Sequence, residues 1–402
     1  MTPPAHVARV AAALLMLASA TPARMSAQDS TRTTKSDSSA SKASAPAAAL
    51  PFDFSGVIYT NFQTGGVQCN RAQNRFELDR AYLTFRSTAG ERASIRVTLD
   101  VYQQRDTTLS DFYRGWTMRA KYAYAQYDYL RGSADALKAN VRLGMLHTVM
   151  IEREEIGSSH GVWMRGLSQV AVEQAGYFRS SDLGVATSIT LPKKQGEIYA
   201  IISNGPGYSA RENDRFKDYA ARLTLTPLAN TKGYWKGFAV SPWVSIGRRA
   251  SDFADRDHGT VRRIDSGLQK DRYGLLLQVH DYRVGLGAHF ARRMDVVESA
   301  DTTRDVAPRT VDRTGALSSV YAIVRPSAFI EGMPRPLSVV LRADNLKPDR
   351  SAEPNHRFYI VGVTWDLNKK TSVTLDYQSQ QPRNGSRVPD VKTVFVHVIA
   401  NF

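Results

Sequence analysis

A two-residue alternation of apolar and polar side chains runs through most of this chain. In Ala93–Val101 every odd position is apolar and every even position is polar. Leu183–Thr190, Tyr219–Leu225 and Val373–Gln378 repeat the pattern. Because successive side chains of a strand point to opposite faces, this period predicts strands with one apolar and one polar face. No run of helical period follows residue 50, so the sequence predicts one all-β domain over residues 51–402.

The number of candidate strands points to a large barrel. They begin near residues 53, 76, 93, 117, 139, 181, 197, 217, 237, 272, 284, 316, 337, 357, 371 and 391. This predicts about 16 strands, with 18 as the alternative count, in a transmembrane antiparallel β-barrel. About 22 residues for each strand and its connection suit tilted spanning strands of ~9–11 residues.

The connections between these strands alternate in length. Short links are expected at Ser87–Arg92, Leu191–Gly196, Asp281–Tyr282 and Asn368–Thr371. Long polar links are expected at Thr64–Arg75, Arg105–Trp116, Asn204–Phe216, Arg248–Asp271, Arg292–Gly315 and Asn345–Arg357. Short turns at one end and long loops at the other are typical of an outer-membrane barrel. A soluble β-sandwich gives no reason for this alternation.

Alternation alone does not say which face of the barrel is apolar. Three further features favour an apolar outer face in a membrane. The N-terminus has the layout of an export signal, and Tyr127, Tyr129, Tyr359 and Trp365 lie near strand ends, where interfacial aromatics belong. The chain also ends in an alternating strand, Val394–Phe402.

The first 50 residues differ from the rest. Residues 1–27 read as a signal peptide with an apolar core at Val10–Ala20 and cleavage between Ala20 and Ala27. The apolar core is too short to span a membrane, and no later stretch reaches the ~20 apolar residues of a spanning helix. A helical membrane protein with several spans is therefore excluded. An Ala-rich first helix of a cytosolic chain is the alternative. Residues 28–50 read as a flexible low-complexity tail.

One strand fits the alternation badly. In Arg75–Ser87 the apolar residues Ala81 and Leu83 would place Glu77 and Asp79 on the lipid side. Either these two acids lie beyond the lipid at the loop end, or a β-bulge shifts the alternation.

Three segments carry motifs in a fixed order. They are Arg75–Leu83, Arg142–Met150 followed by acidic and serine positions, and Asn204–Gly207 followed by Lys-Asp and Ala-Arg-Leu. Together they resemble the phosphate-selective porin O and P family of outer-membrane channels, over essentially Phe52–Phe402. The resemblance implies that the second segment leads into a loop folded into the pore.

The same resemblance implies partners. The strand ending in Phe402 is similar to the signal that barrel-assembly machinery recognises in outer-membrane proteins. Homotrimers are what the family implies. The chain departs from the family at His147, which stands at a lysine position, and at Val149, which stands at a proline position.

Charged residues on the polar face are the candidate pore lining. The alternation places inward Arg80, Arg86, Arg96, Asp100, Arg142, Arg222, Arg342 and Asp344, together with Asp128, Asp366 and Asp376. Candidate constriction residues in the loop segment His147–Ser168 are His147, Glu152, Arg153, Glu155, His160 and Arg165. Six inward arginines against five aspartates predict a nearly balanced lumen, so the formal charge of +15 is expected to lie largely in loops.

These observations predict an outer-membrane porin, a water-filled channel for passive diffusion of small polar solutes with a mild preference for anions such as phosphate. The partners expected are membrane lipid and small anionic or polar solutes, without nucleic acid, because export removes that target. No enzyme activity, cofactor or metal is expected, because Asp, Glu and His are not spaced as ligands. A closed-lumen barrel acting as an anchor or adhesin stays open as an alternative, as does a barrel lipase. Cys69 is the only cysteine, so no intrachain disulfide is available.

Overall fold

The structure, a computed structural model, describes residues 52–68, 71–103, 115–133, 135–155, 164–210, 212, 214–250, 253–255, 260–262, 267–299, 309–348, 355–382 and 390–402. The strands are β1 (Asp53–Gln68), β2 (Arg71–Ala89), β3 (Ala93–Gln103), β4 (Trp116–Leu130), β5 (Lys138–His147), β6 (Ser181–Thr190), β7 (Gly196–Ser203), β8 (Asp218–Leu225), β9 (Phe238–Arg249), β10 (Phe253–Asp255), β11 (Thr260–Arg262), β12 (Leu268–His280), β13 (Val284–Ser299), β14 (Arg309–Val324), β15 (Leu337–Lys347), β16 (His356–Asp366), β17 (Thr371–Pro382) and β18 (Val391–Asn401). The predicted signal peptide and tail lie outside the described residues.

Sixteen of these strands close into an antiparallel barrel, in which each pairs with its neighbours along the chain and β1 pairs with β18. Strands β10 and β11 form a separate two-stranded ribbon, so the alternative of 18 barrel strands is wrong. The sixteen predicted strand starts match the barrel strands, and the largest difference is at β14, 316 against 309. The alternation located the strands because one face of each strand is buried inside the barrel and the other faces outward.

The apolar face of the barrel points outward. Leu143 and Val361 are 60% and 54% exposed, whereas Thr364 and Thr374 on the inner face have no exposure. This is the inverse of a soluble protein, where apolar side chains fill the core. Outward aromatic side chains lie at the strand ends, including Tyr127 and Trp365 near the short turns. The orientation that alternation left open is thus the membrane-barrel one.

A β-bulge in β2 explains the strand that fitted badly. Tyr59 pairs with Arg80 but Thr60 pairs with Leu78, so Asp79 is an extra residue. Beyond the bulge the alternation is shifted, and Glu77 returns to the inner face, where its Oε2 accepts a 2.6 Å hydrogen bond from the Gln63 side chain. The bulge, one of the two explanations considered, is the correct one.

A second bulge lies in β4. Thr98 pairs with Tyr122 and Leu99 pairs with Ala120, which leaves Lys121 as the extra residue. Lys121 is turned inward and buried, and its Nζ lies 2.7 Å from the Tyr82 hydroxyl. The bulge therefore adds a cation to the lumen that strict alternation does not place there.

The barrel has a turn end and a loop end. Tight links at the turn end join β2 to β3, β6 to β7, β12 to β13 and β16 to β17, as expected. Two turn-end links are longer and contain the 3₁₀ helices Tyr234–Gly237 and Pro326–Ala328, and a third 3₁₀ helix spans Pro192–Lys194. At the loop end two predicted loops are wrong. Strands β1 and β2 stay paired up to Gln68 and Arg71 within the predicted Thr64–Arg75, and β13 and β14 stay paired up to Ser299 and Arg309 within the predicted Arg292–Gly315. Polar residues are tolerated in these strand extensions because their backbone groups remain paired.

The longest loop, residues 148–180 between β5 and β6, folds into the barrel and is called the inner loop below. Its described parts contain the short helices α1 (Ile151–Glu155), α2 (Met164–Leu167) and α3 (Ala171–Gln174). Among the described residues, no helix is long and apolar enough to cross a membrane.

Candidate functional site

The inner loop buries an apolar core inside the barrel. Val149, Met150 and Ile151 of the loop have no exposure. They pack in one cluster with wall residues of β6, β7, β9 and β12–β14, namely Ala186, Tyr199, Ile201, Trp243, Leu276, Ala291 and Leu317. Burial of several such side chains, each worth about 1.5–3 kcal/mol, holds the loop to this sector of the wall.

The second half of the loop packs on the next sector. Met164 and Leu167 join a cluster with Tyr321, Ile323, Val340, Phe358 and Ile360 of β14–β16. The Gln378 side chain of β17 donates a 2.9 Å hydrogen bond to the Leu167 carbonyl. Gly166 lies against β18, where a Cβ would overlap Ile399. The loop thus contacts the wall from β6 round to β18.

A buried ion pair fixes the fold of the loop itself. Arg165 and Glu173 form a salt bridge, and the Ser180 hydroxyl donates to Glu173 at 2.5 Å. Burial alone would raise the pKa of Glu173, but the Arg165 guanidinium and the Ser180 hydroxyl hold it below its usual value. Arg165 also reaches the Tyr82 hydroxyl of β2 at 3.3 Å.

A second polar chain joins the loop to the opposite wall. Glu154 Oε2 lies 3.3 Å from His289 Nδ1, and both side chains are buried. The Trp243 indole N–H donates to His289 Nε2 at 2.9 Å. Since Nε2 accepts this hydrogen bond, the ring proton of neutral His289 sits on Nδ1, facing Glu154.

The space that the loop leaves on its turn-end side is a cavity of about 430 Å³, called the inner cavity. It lies against β1–β4 and is lined by tyrosines, threonines and charged residues. Its charged lining consists of Arg86, Arg96, Lys121 and Arg165 with a single acid, Glu152, beside His147. The inner cavity is therefore basic.

Arg165 is paired with Glu173, whereas the other cations around this cavity contact neutral groups. Arg96 donates to Thr98 at 3.2 Å and lies 3.3 Å from His147 Nε2, while Arg142 donates to Gln126 at 2.9 Å. Arg80, Lys121 and Arg165 all lie within 3.4 Å of the Tyr82 hydroxyl oxygen. Across the described residues no salt bridge to a carboxylate is formed by Arg80, Arg86, Arg96 or Arg142.

Other inward cations are neutralised by a carboxylate. These pairs are Arg119–Asp100, Arg222–Glu197, Lys270–Asp218, Arg272–Asp295 and Arg342–Asp344, at 2.5–3.3 Å. Arg342 also donates to the Gln169 carbonyl and to Gln174 of the inner loop. The Arg119–Asp100 pair lies on β3 and β4, and the other four pairs lie on β7, β8, β12, β13 and β15. The inward residues Arg80, Arg86, Arg96 and Arg142 of β2–β5 form no salt bridge to a carboxylate in the described part of the chain, and this stretch of wall is called the basic sector.

A second cavity, the outer cavity, lies on the loop-end side of the inner loop and has a volume of about 600 Å³. Its lining includes Tyr177, Arg179, Asp218, Lys270 and Arg272. It shares no lining residue with the inner cavity, although its lining residues Thr148 and Val149 directly follow His147, which lines the inner cavity.

All eight predicted pore-lining residues lie on the inner side of their strands. Asp100, Arg222, Arg342 and Asp344 take part in the ion pairs, and Arg222 also donates to the Val149 carbonyl. The other four, Arg80, Arg86, Arg96 and Arg142, belong to the basic sector. Of the predicted constriction residues, His147 and Arg165 are buried, Arg153 is half-buried, and Glu152 is 49% exposed. The side chains of Glu155 and His160 lie outside the described residues, and Arg153 contributes its carbonyl as an acceptor for Gln278.

Several site residues were not predicted. Lys121 was missed because a bulge carries it inward, and Tyr82 because a tyrosine among cations has no sequence signature. Arg119 was missed for the same reason as Lys121, because it lies beyond that bulge in β4. Glu197 is legible from the alternation, since it lies opposite Thr224 on the inner face. Glu154 and Glu173 depend on the path of the loop, which no local pattern encodes.

No group of His, Cys, Asp and Glu among the described residues is arranged to hold a metal ion. The buried histidines His289 and His397 contact carboxylates, and in the described part of the chain neither forms a hydrogen bond with a serine hydroxyl.

The sequence matches no protein-family model and no curated protein. Solved structures do match by fold. The outer membrane channel DcaP of Acinetobacter baumannii is 12% identical with a TM-score of 0.56, over 87% of this chain and 97% of that one. Pseudomonas putida OprB is 9% identical with a TM-score of 0.57, over 88% and 94%. An anion-selective porin from Comamonas acidovorans is 10% identical with a TM-score of 0.52, over 87% and 99%. This chain therefore has a porin-like barrel fold.

Proposed function

We propose that this chain is an outer-membrane channel for passive diffusion of small polar solutes, with a mild preference for anions such as phosphate. The observation that carries the proposal is the position of the inner loop. The loop packs on the wall from β6 to β18 and leaves the inner cavity open on its turn-end side, beside the basic sector. A solute passing the loop at this point meets three wall cations and Arg165.

The charge pairing supports the anion preference. The sequence predicted a nearly balanced lumen, but the aspartates at positions 100 and 344 are held in ion pairs with Arg119 and Arg342. Arg86 and Arg96 form no salt bridge to a carboxylate among the described residues, and such cations raise the local concentration of anions beside the inner loop, where salt screens them little at short range. The fold likeness to a porin described as anion-selective is consistent with this proposal.

The outward apolar face and the aromatic side chains at strand ends support placement in an outer membrane. In that placement the turn end faces the periplasm and the loop end faces outward. We include homotrimer formation and recognition of the Phe402 strand by assembly machinery as parts of the proposal. Cross-linking of the purified protein tests homotrimer formation.

Solute flux into proteoliposomes tests the proposal. Vesicles carrying the folded protein are expected to swell in isotonic solutions of small sugars and of phosphate salts, and more slowly as the solute becomes larger. Vesicles with heat-denatured protein are the control. No swelling with any small solute would contradict a diffusion channel.

A closed-lumen barrel acting as an anchor is the second candidate. It is favoured by one observation: the inner and outer cavities have no common lining residue, and the loop between them packs without exposure at Val149 and Met150. In that case the vesicles do not swell although the barrel is folded and inserted.

A further inference from the structure

The outward face of the barrel carries a groove of about 550 Å³ over strands β12–β15. It lies on the other side of the wall from the pore. The side chains that face outward along it are Tyr273, Leu275, Phe290, Arg292, Ala316, Ser318, Asn345 and Lys347. Small residues on β14 form its floor, and larger residues on the flanking strands form its sides.

The strand register places two cations in one row across the groove. Arg292 of β13 pairs with Ala316 of β14, which pairs with Lys347 of β15. Neighbouring strands lie about 4.8 Å apart, so the two cations flank the alanine at a backbone separation of about 10 Å. That gap accommodates a phosphate group contacted from both sides.

Both cations lack a neutralising carboxylate within the part of the chain that the structure describes. Both side chains are exposed, and in the described residues neither Arg292 nor Lys347 forms a hydrogen bond or a salt bridge. Tyr273 of β12, which pairs with Arg292, continues the same row and is 47% exposed. The row thus offers two cations and an interfacial aromatic to the surroundings.

The rows toward the turn end are apolar. The next row contains Leu275, Phe290 and Ser318, and the one after it contains Leu277, Ala288 and Val320. A polar clamp above a narrow apolar channel has the shape of one lipid molecule, with its headgroup at the row of cations and an acyl chain along β14.

The height of the cations fits a membrane surface. Arg292 lies nine residues beyond Arg283 of the turn (292 − 283). At ~3.4 Å per residue and a tilt of ~40° this is about 23 Å, close to the ~25 Å apolar band of such barrels. The row therefore lies at the upper edge of the band, where lipid phosphates are found.

We propose that this groove binds a phosphorylated membrane lipid of the outward leaflet, its phosphate held between Arg292 and Lys347. The proposal rests on the membrane placement of the proposed function. A free phosphate ion would use only the two cations, whereas a lipid also covers the apolar channel beside Phe290 and Ala316. The lipid is therefore the occupant that the whole groove fits.

Native mass spectrometry of the detergent-purified barrel tests the site with bis-phosphorylated lipid A as the probe. The wild-type protein is expected to retain the lipid. The R292Q/K347Q double variant is expected to bind it about 25-fold more weakly, about fivefold for each cation. The A316F variant keeps both cations but fills the groove, and it is also expected to lose binding. K392Q, which removes an outward lysine of β18, is the matched control and is expected to bind like the wild type.

Three results would overturn the proposal: equal binding by R292Q/K347Q, equal binding of the dephosphorylated lipid, or displacement of the lipid by millimolar inorganic phosphate alone. Solute flux of the same preparations is measured in parallel. Flux without phosphate-dependent lipid binding contradicts the lipid site only, and lipid binding without flux contradicts the channel only.

Discussion

At the residue scale, the cations of the pore wall differ in whether a carboxylate neutralises them. Arg342 is bound to Asp344 and to the inner loop, whereas the hydrogen-bond partners of Arg96 among the described residues are Thr98 and His147. Sequence alternation placed both on the inner face but did not separate these roles, because pairing depends on neighbours in other strands. The two arginines are therefore expected to respond differently to the same substitution.

Replacing Arg86 and Arg96 with glutamine is expected to move the chloride-to-potassium permeability ratio toward unity, with the barrel and its unit conductance retained. The R342Q/D344N variant, which removes both charges of a pair, is expected to keep the ratio but to make the loop unstable, because the Gln169 carbonyl and Gln174 lose the Arg342 donor. Reversal potentials in a salt gradient measure both. R292Q, which removes a cation on the outer face, is the control, and an unchanged ratio in R86Q/R96Q would refute the role of the basic sector.

Gly166 makes a second prediction at this scale. Its backbone lies so close to β18 that an added Cβ overlaps Ile399. The G166V variant is expected to push α2 off the wall at a cost of about 1–3 kcal/mol, seen as faster proteolysis of the inner loop. The control is G176A in the same loop, where an added Cβ meets no atom within 4 Å, although its φ of +70° adds some strain. Equal proteolysis of G166V and the wild type would contradict the close packing.

At the element scale, the two bulges separate what local patterns encode from what they do not. The alternation in β2 reads correctly on each side of Asp79, and only the extra residue breaks it. The sequence thus showed that Glu77 and Asp79 conflict with the alternation of β2. The choice between a bulge and a position above the lipid required the pairing of β2 with β1. The bulge in β4 produced no such conflict, so Lys121 was not predicted.

Deleting Asp79 is expected to leave a folded barrel, because removal of the extra residue restores a regular pairing without moving any side chain to the other face. Deleting Thr84, a regular position of the same strand, moves every side chain on one side of it to the wrong face and is expected to abolish folding. Heat-modifiable mobility on gels distinguishes folded from unfolded barrel. A ΔAsp79 protein that does not fold would contradict the assignment of the bulge.

The existence of the inner loop was predicted from a resemblance, but its path inside the barrel was not. The buried Arg165–Glu173 pair predicts that the stability of this loop depends on pH. The pKa of Glu173 lies below the ordinary 4.5, so the pair stabilises the loop above that pH and the stabilisation is lost as the pH falls through the lower, folded-state value. Pepsin loses activity of its own between about pH 3 and about pH 5, so cleavage of the loop is normalised at each pH to cleavage of an unfolded reference peptide. The normalised cleavage is expected to be faster at about pH 3 than at about pH 5.

The E173Q variant is expected to lose this pH dependence and to be cut at both pH values. It leaves Arg165 buried without its partner, a local cost of about 3–5 kcal/mol. E152Q is the control, because Glu152 is half exposed. If wild-type cleavage does not change between the two pH values, the pair does not hold the loop.

At the scale of the whole molecule, the sequence predicted sixteen strands and a sidedness of connections that the structure confirms. These predictions succeeded because the two-residue alternation of a strand can be read from a few neighbouring residues. Each of these strands also has one polar inner face and one apolar outer face. It did not predict the asymmetry of the lumen, where one sector is basic and the rest is filled or paired. That asymmetry comes from the loop and from contacts between strands far apart in the chain.

Single-channel recording of the refolded protein in a planar bilayer under a potassium chloride gradient tests whether the chain is a channel and whether its basic sector favours anions. We expect discrete ohmic conductance steps with a reversal potential displaced toward that of chloride. Folded, inserted protein that gives no steps would contradict the channel, and a reversal potential displaced toward that of potassium would contradict the role of the basic sector.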